Sequence, residues 1–279
     1  MFTTSKIELD YQALKSNLNY IKSLLGKGVK YSSVVKGNAY GHGIHEFVPM
    51  LEAAGVDHFS VFSADEAFAV ANCTLNRADV MIMGYIENEE LEWAVQNDIS
   101  FFVFEMDRLH AAIETAKRLG KKARIHLELE TGLNRTGFDQ PTLLKVVELI
   151  KANEQYLVVE GDCTHYAGAE NISNHYRVTH QIDQFETIDN WLKSKGIIPK
   201  YNHTACSAAS VRYPQTQMDM VRIGILQYGY WPSRETFIEH ISGINRKDDP
   251  LKRVIKWSSK VMDVKEVEVG EYIGYGSTF

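Results

Sequence analysis

The chain has 279 residues, 44% of them hydrophobic and 24% charged, with a formal net charge of −6. That length allows one large barrel or two modest domains, and the composition is that of a soluble globular protein. The negative balance argues against nucleic acid or an anionic membrane as the main partner, because both reward basic patches.

The amino end, Met1 to Glu8, lacks the apolar core of a signal peptide, and no apolar run is long enough to span a bilayer. Cys73, Cys163 and Cys206 are odd in number, far apart and without metal-type spacing, which predicts free thiols in a reducing cytoplasm and no metal site. From Asp10, a fair N-cap, Leu14, Leu18, Ile21 and Leu25 recur one turn apart and predict a helix.

Val34-Val35 then ends on Lys36, followed at once by Gly37, Asn38, Gly41 and Gly43. This is the profile of a buried strand whose carboxyl end opens into a loop. Further strands are expected at Phe59–Phe62, Val80–Met83, Phe101–Phe104, Arg124–Glu130, Val158–Cys163, Tyr201–Thr204 and Met220–Ile225. Helical patterns separate them at Ser63–Ala67, Glu87–Gln96, Met106–Leu119, Pro141–Asn153 and His175–Lys195. Eight strand–helix units predict a TIM (β/α)8 barrel preceded by one extra helix. From Trp231 to Lys252 the sequence turns polar and irregular and reads as a linker or excursion. Val254 to Val264 then reads as a β-strand opening a β domain. The expected domains are a barrel over 1–230, a linker over 231–253 and the start of a β domain over 254–279.

A lysine at a barrel strand end stands where this architecture places its chemistry, and an amine in a dry site among cations forms Schiff bases. In the fifth barrel strand, His126, Glu128 and Glu130 alternate with Leu127 and Leu129. With the leucines under helices, the ionisable groups point into the lumen, and Arg135 is the nearest counter-charge. His165 and Tyr166, then His203 and Ser207, then Arg222 and Gly224 mark polar ends of the last three strands. Ser207 and Gly224 fit a phosphate cradle after strands seven and eight. Lysine, phosphate and barrel suggest pyridoxal phosphate or a Schiff-base aldolase, and the residues alone leave both open.

The run Val35-Lys36-Gly37-Asn38-Ala39-Tyr40-Gly41-His42-Gly43 resembles the cofactor-lysine motif of alanine racemases. Five further blocks match that family in order: Glu130 to Gly137, Thr164 to Tyr166, Ser207 to Ala209, Val221 to Ile225 and Gly274 to Phe279. The resemblance implies a pyridoxal 5'-phosphate isomerase that interconverts L- and D-alanine and supplies D-alanine for the bacterial cell wall. It implies that Lys36 carries the cofactor and is the base on one face of the substrate α-carbon. Tyr275, from the other subunit of a head-to-tail dimer, acts on the opposite face. Arg222 bonds the pyridine nitrogen and has no proton to give it. His203 orients Arg222, Arg135 bonds the cofactor phenolic oxygen and serves the substrate, and His165 lies against the ring. Tyr40, Ser207, Gly224 and Ile225 hold the phosphate.

Two departures stand out. Where many members of the family carry a carbamylated lysine, seven residues before the loop arginine, this chain has Glu128, whose carboxylate is expected to orient Arg135. The family also has a further β domain with another phosphate-binding tyrosine. The chain is expected to stop inside that domain and to be weakly active or inactive in this form. A racemase of broader amino-acid specificity is a close variant. A non-catalytic pyridoxal-phosphate barrel is disfavoured by Tyr275, and a fold-related decarboxylase by the run Asn38-Ala39-Tyr40-Gly41.

Overall fold

The apolar runs expected as strands pair with one another in chain order. The computed structural model describes residues 4–76, 78–244 and 248–276. Its strands are β1 Ser5–Leu9, β2 Lys30–Val34, β3 His58–Val61, β4 Asp79–Ile82, β5 Ser100–Val103, β6 Ala123–Glu128, β7 Leu157–Cys163, β8 Tyr201–His203, β9 Met220–Ile223 and β10 Ile255–Ser259. Strands β2 to β9 form one parallel sheet in the order β8-β7-β6-β5-β4-β3-β2-β9. Its edges meet where Arg222 N donates to Ala205 O at 2.9 Å and Asp219 N donates to Asn202 O at 3.1 Å. The result is the expected (β/α)8 barrel.

Helices Ala64–Cys73, Asn88–Gln96, Met106–Leu119, Gln140–Lys151 and His175–Ser194 cover the strands where their periodicity predicts. Side chains of Ser63, Glu105 and Asp139 accept N–H groups of the first turns, so the helix starts are fixed locally. The helix Tyr11–Ser23 precedes the barrel, starts at Asp10 and buries Leu14, Leu18 and Ile21. Its Asn17 is fully buried and donates to Gln227 O at 3.2 Å and Lys252 O at 2.7 Å. That one amide ties the first helix to both the end of the barrel and the segment beyond it.

Several features differ from the sequence expectation. Ser5–Leu9 is a strand, paired antiparallel with β10 in a separate two-stranded sheet. Ile44–Ala53 is a helix despite Pro49 inside it, with Phe47, Val48 and Leu51 buried. The stretch expected as an irregular linker contains the helix Arg234–Gly243, capped by Ser233 and anchored by buried Thr236. The strand expected over Val254–Val264 is regular only over Ile255–Ser259, and β9 ends at Ile223, two residues early. Asn245 and the end of the last motif, Ser277 to Phe279, lie outside the described residues.

Outside the barrel wall, β7 and β8 are clamped to the helix His175–Ser194 by a buried acid pair. Asn202 Nδ2 donates to Asp162 Oδ1 at 2.5 Å and to Asp189 Oδ1 at 3.1 Å, while Lys193 Nζ donates to Asp189 Oδ2 at 2.6 Å. Burial, reinforced by the Asp189 charge, pushes the Asp162 carboxyl up to about 8. A carboxyl that keeps its proton in the fold and loses it on unfolding stabilises at low pH; that contribution fades as pH rises from about 4 to 8. Asp162→Asn is therefore expected to flatten this slope, reducing the stability lost between pH 5 and pH 8 by about 3 kcal/mol in urea titrations. An unchanged slope would show that Asp162 ionises normally.

Candidate active site

Lys36 stands two residues beyond β2, at the carboxyl mouth of the barrel. The chain after it winds the wrong way: Gly37, Asn38, Ala39 and Tyr40 all have positive φ, between 51° and 63°. A left-handed turn costs roughly 1–2 kcal/mol for each residue with a Cβ, so neighbours must hold it. Ala39 is fully buried, Asn38 Oδ1 accepts the Ile44 N–H at 2.8 Å, and the Tyr40 ring packs 4.9 Å from Tyr228. The Tyr228 hydroxyl in turn donates to Val34 O at 3.0 Å. This turn is what brings Lys36 and Tyr40 to the same mouth.

The Tyr40 hydroxyl then reaches Gly224. A Cβ built on that glycine would stand 2.5 Å from Tyr40 Oη, so a larger residue there would have to displace the tyrosine hydroxyl. Gly224 N donates to Ser207 Oγ at 3.0 Å, and Ile225 follows at the start of a 3-10 turn. Two hydroxyls and a glycine backbone thus converge at the mouth, beyond the ends of β8 and β9. This donor set fits a phosphate, and with a lysine amine nearby it fits pyridoxal phosphate.

Arg222, on β9, is 5% exposed and serves as a hub. Its Nη1 donates to His203 Nδ1 and to His203 O, each at 2.5 Å. Its Nη2 donates to Thr164 O at 2.7 Å and Thr204 O at 3.2 Å. Because His203 Nδ1 accepts, its proton sits on Nε2, which faces His126 Nδ1 at 2.8 Å. His126 Nε2 then faces Ser100 Oγ at 3.2 Å, and Ser100 donates to Val80 O at 3.3 Å. Every proton in this lumen relay points away from Arg222. Burial first, and cationic neighbours second, push His126 down to about 3 and His203 well below its usual range, so both stay neutral. The relay needs Gly161: a Cβ there would stand 2.3 Å from His126 Nδ1 and 2.9 Å from His203 Nε2.

His165 lies at the end of β7. Burial, then the charges of Arg222, Arg135 and Lys36, push it down to about 3. The same two guanidiniums act on Lys36, whose amine is lowered by desolvation, then Arg135 and Arg222, against opposing effects of Glu66 and Cys206. Lys36, Arg135, His165 and Arg222 therefore share one electrostatic environment.

Glu128 is buried in the lumen as expected, with Oε1 3.9 Å from Arg135 Nη2. Burial raises its carboxyl, while Thr136 and the Arg135 charge oppose that. Glu130 departs from the lumen-facing expectation. Its carboxylate turns back and accepts the N–H groups of Gly132 and, at 2.9 Å, Asn134, shaping the loop that carries Arg135. Tyr275 is not brought to the mouth: it is fully exposed in the segment beyond β10. The sequence marks His126 only as lumen-facing and Thr164 only as part of a matching block, and Ser100 carries no sequence signal, because these roles depend on closure of the barrel.

The model of the alanine racemase N-terminal domain matches residues 9–232. The alanine racemase of Leptospira interrogans serovar copenhageni is 31% identical over 279 residues, covering 99% of this chain and 69% of its own. Among solved structures, alanine racemase of Clostridium difficile 630 superposes with a TM-score of 0.88 at 30% identity, over 100% of this chain and 70% of that one. Alanine racemase of Bacillus anthracis with bound L-Ala-P gives 0.86 at 29% identity, again over 100% and 70%. Sequence, fold and the ordered blocks around the mouth agree: the chain belongs to the alanine racemase family of isomerases.

Proposed function

We propose that the chain racemises alanine with pyridoxal 5'-phosphate bound to Lys36, by a two-base mechanism, and so supplies D-alanine for peptidoglycan. The observation that carries this reading is the convergence of the Tyr40 hydroxyl, Ser207 and Gly224 at the same barrel mouth that carries Lys36. When bound, the cofactor supplies an electron sink that acidifies the substrate α-carbon. The chain's own residues do the rest. Tyr40, Ser207, Gly224 and Ile225 hold the phosphate. Arg222 holds the ring nitrogen side and, never losing a proton at workable pH, gives none away. Neutral His165 covers the ring, and Arg135, oriented by Glu128, holds the phenolic oxygen and the substrate carboxylate.

Racemisation needs a proton to leave one face of the α-carbon and return to the other. The Lys36 amine, its proton affinity lowered by burial and by Arg135, gives up and takes back that proton more readily than an ordinary lysine. Tyr275 of the partner subunit supplies the opposite face, which makes the working form a head-to-tail homodimer. The domains that accompany this reading are the cofactor barrel over 1–230, a connecting stretch over 231–253 and the start of a β domain from 254. No helix among the described residues is long and apolar enough to cross a membrane. The three free, widely separated thiols are the ground on which we assign the protein to the cytoplasm.

Two measurements test the proposal. The purified chain should bind pyridoxal phosphate with visible absorbance, and borohydride should fix the cofactor on the peptide containing Lys36; Lys36→Ala should lose both. In deuterated water, L- and D-alanine should each acquire deuterium at the α-carbon, at the low rate that the sequence reading expects of this form. Cofactor absorbance retained by Lys36→Ala would overturn the anchor, and binding without deuterium exchange would leave a carrier rather than a racemase.

A further inference from the structure

We propose that Glu66 is a positioning residue for Lys36, its carboxylate clamping the left-handed turn that follows the lysine and fixes where the amine stands. The inference rests on the reading of Lys36 as the cofactor-bearing amine.

Glu66 lies in the first turn of the helix Ala64–Cys73, where an acid would ordinarily be read as complementing the helix dipole. That helix is already capped, since Ser63 Oγ accepts the Glu66 N–H at 3.4 Å. The Glu66 carboxylate is used elsewhere. Its Oε1 accepts Gly37 N–H at 2.6 Å and Asn38 N–H at 3.3 Å, and its Oε2 accepts Phe62 N–H at 2.9 Å. Successive N–H groups of left-handed residues form a concave anion nest. Here a side chain of the protein fills that nest, bridging the exits of β2 and β3 and bonding the two residues that follow Lys36. Charge-assisted bonds of this kind are stronger than neutral ones, which suits them to oppose the strain of the turn.

The charge has a second consequence. The titratable and charged groups that act on Lys36 are Arg135 from the loop after β6, His165 after β7, Cys206 after β8, Arg222 on β9, and Glu66. His165 is neutral, and both guanidiniums disfavour the ammonium. Glu66 is the carboxylate that opposes them. A base must hold a proton once it has taken it, and Glu66 supplies that affinity next to two cations.

The test uses the full chain without added cofactor, so it decides on Glu66 independently of the function reading. The rate at which trinitrobenzenesulfonate labels Lys36, followed by peptide mass spectrometry across pH, reports the titration of its amine. In Glu66→Gln, which keeps the shape and one acceptor oxygen, the midpoint is expected to fall by about one pH unit. Glu66→Asp keeps the charge but shortens the reach, and amide exchange at Gly37 and Asn38 is expected to quicken about tenfold. An unchanged midpoint in the first variant, or unchanged exchange in the second, overturns the proposal. Should Glu66→Gln fail to fold, the Asp variant still decides. Failure of Lys36 to take up pyridoxal phosphate would instead sink the function reading and leave the midpoint measurement standing.

Discussion

Replacing Arg222 with leucine is expected to lower the unfolding free energy by about 4 kcal/mol and to abolish cofactor retention, because four buried acceptors lose their donor together. Those acceptors are His203 Nδ1 and the carbonyls of His203, Thr164 and Thr204. Each unsatisfied buried acceptor costs about 1–3 kcal/mol, and the sum is reduced because burying the guanidinium was itself unfavourable. The loss extends beyond the local bonds. Arg222 fixes the tautomer of His203, which sets the direction of the relay through His126 to Ser100. With the guanidinium gone, His203 Nδ1 is free to carry the proton, and nitrogen NMR should detect the second tautomer. Arg222→Lys should recover less than half of the stability, since one ammonium cannot serve groups beyond β7, on β8 and in the loop after it as a planar fork does. Urea unfolding within 1 kcal/mol of the parent for Arg222→Leu would show that water replaces the fork without cost.

Much of this arrangement was legible in the chain because barrels write local signals. Buried parallel strands read as short apolar runs, and helix starts are spelled by Ser63, Glu105 and Asp139. What escaped depended on contacts distant in sequence. Ser5–Leu9 carries an exposed, mixed pattern, and it is a strand only because Ile255–Ser259 lies alongside it. Arg234–Gly243 buries little beyond Thr236, so it shows almost no apolar stripe. The left-handed turn at Gly37–Tyr40 reads as an ordinary glycine-rich loop, because the group that stabilises it, Glu66, lies 29 residues away and looks like a helix-start acid. Glu130 was expected in the lumen from its period-2 spacing, yet the strand ends at Glu128 and alternation no longer governs its direction. The residues proposed for the site stand out most plainly in the chain. Chemistry at the end of a barrel strand leaves polar residues next to apolar ones, a contrast that packing alone does not produce.

Neither Lys36→Ala nor Tyr275→Phe should racemise alanine alone, yet mixing the two variants should restore about a quarter of the parent activity. Racemisation needs proton donors on both faces of one carbon. In a single chain, Lys36 sits at the barrel mouth while Tyr275 is fully exposed beyond β10, so the two bases do not meet within one protomer. If each site takes its tyrosine from the partner subunit, random reassociation makes half the dimers hybrids. Each hybrid then contains one site with both native residues, opposite one site lacking both. If instead Tyr275 served its own chain, every site in every hybrid would lack one base, and mixing would restore nothing. The measurement is the rate of D-alanine formation from L-alanine after joint refolding, compared with the parent chain treated identically. Recovery should also fall on dilution, as the hybrid dissociates, with a midpoint matching the dimer–monomer transition seen by light scattering. Absence of recovery at concentrations where the dimer persists would remove the partner-supplied base, and with it the two-base geometry proposed for this family member.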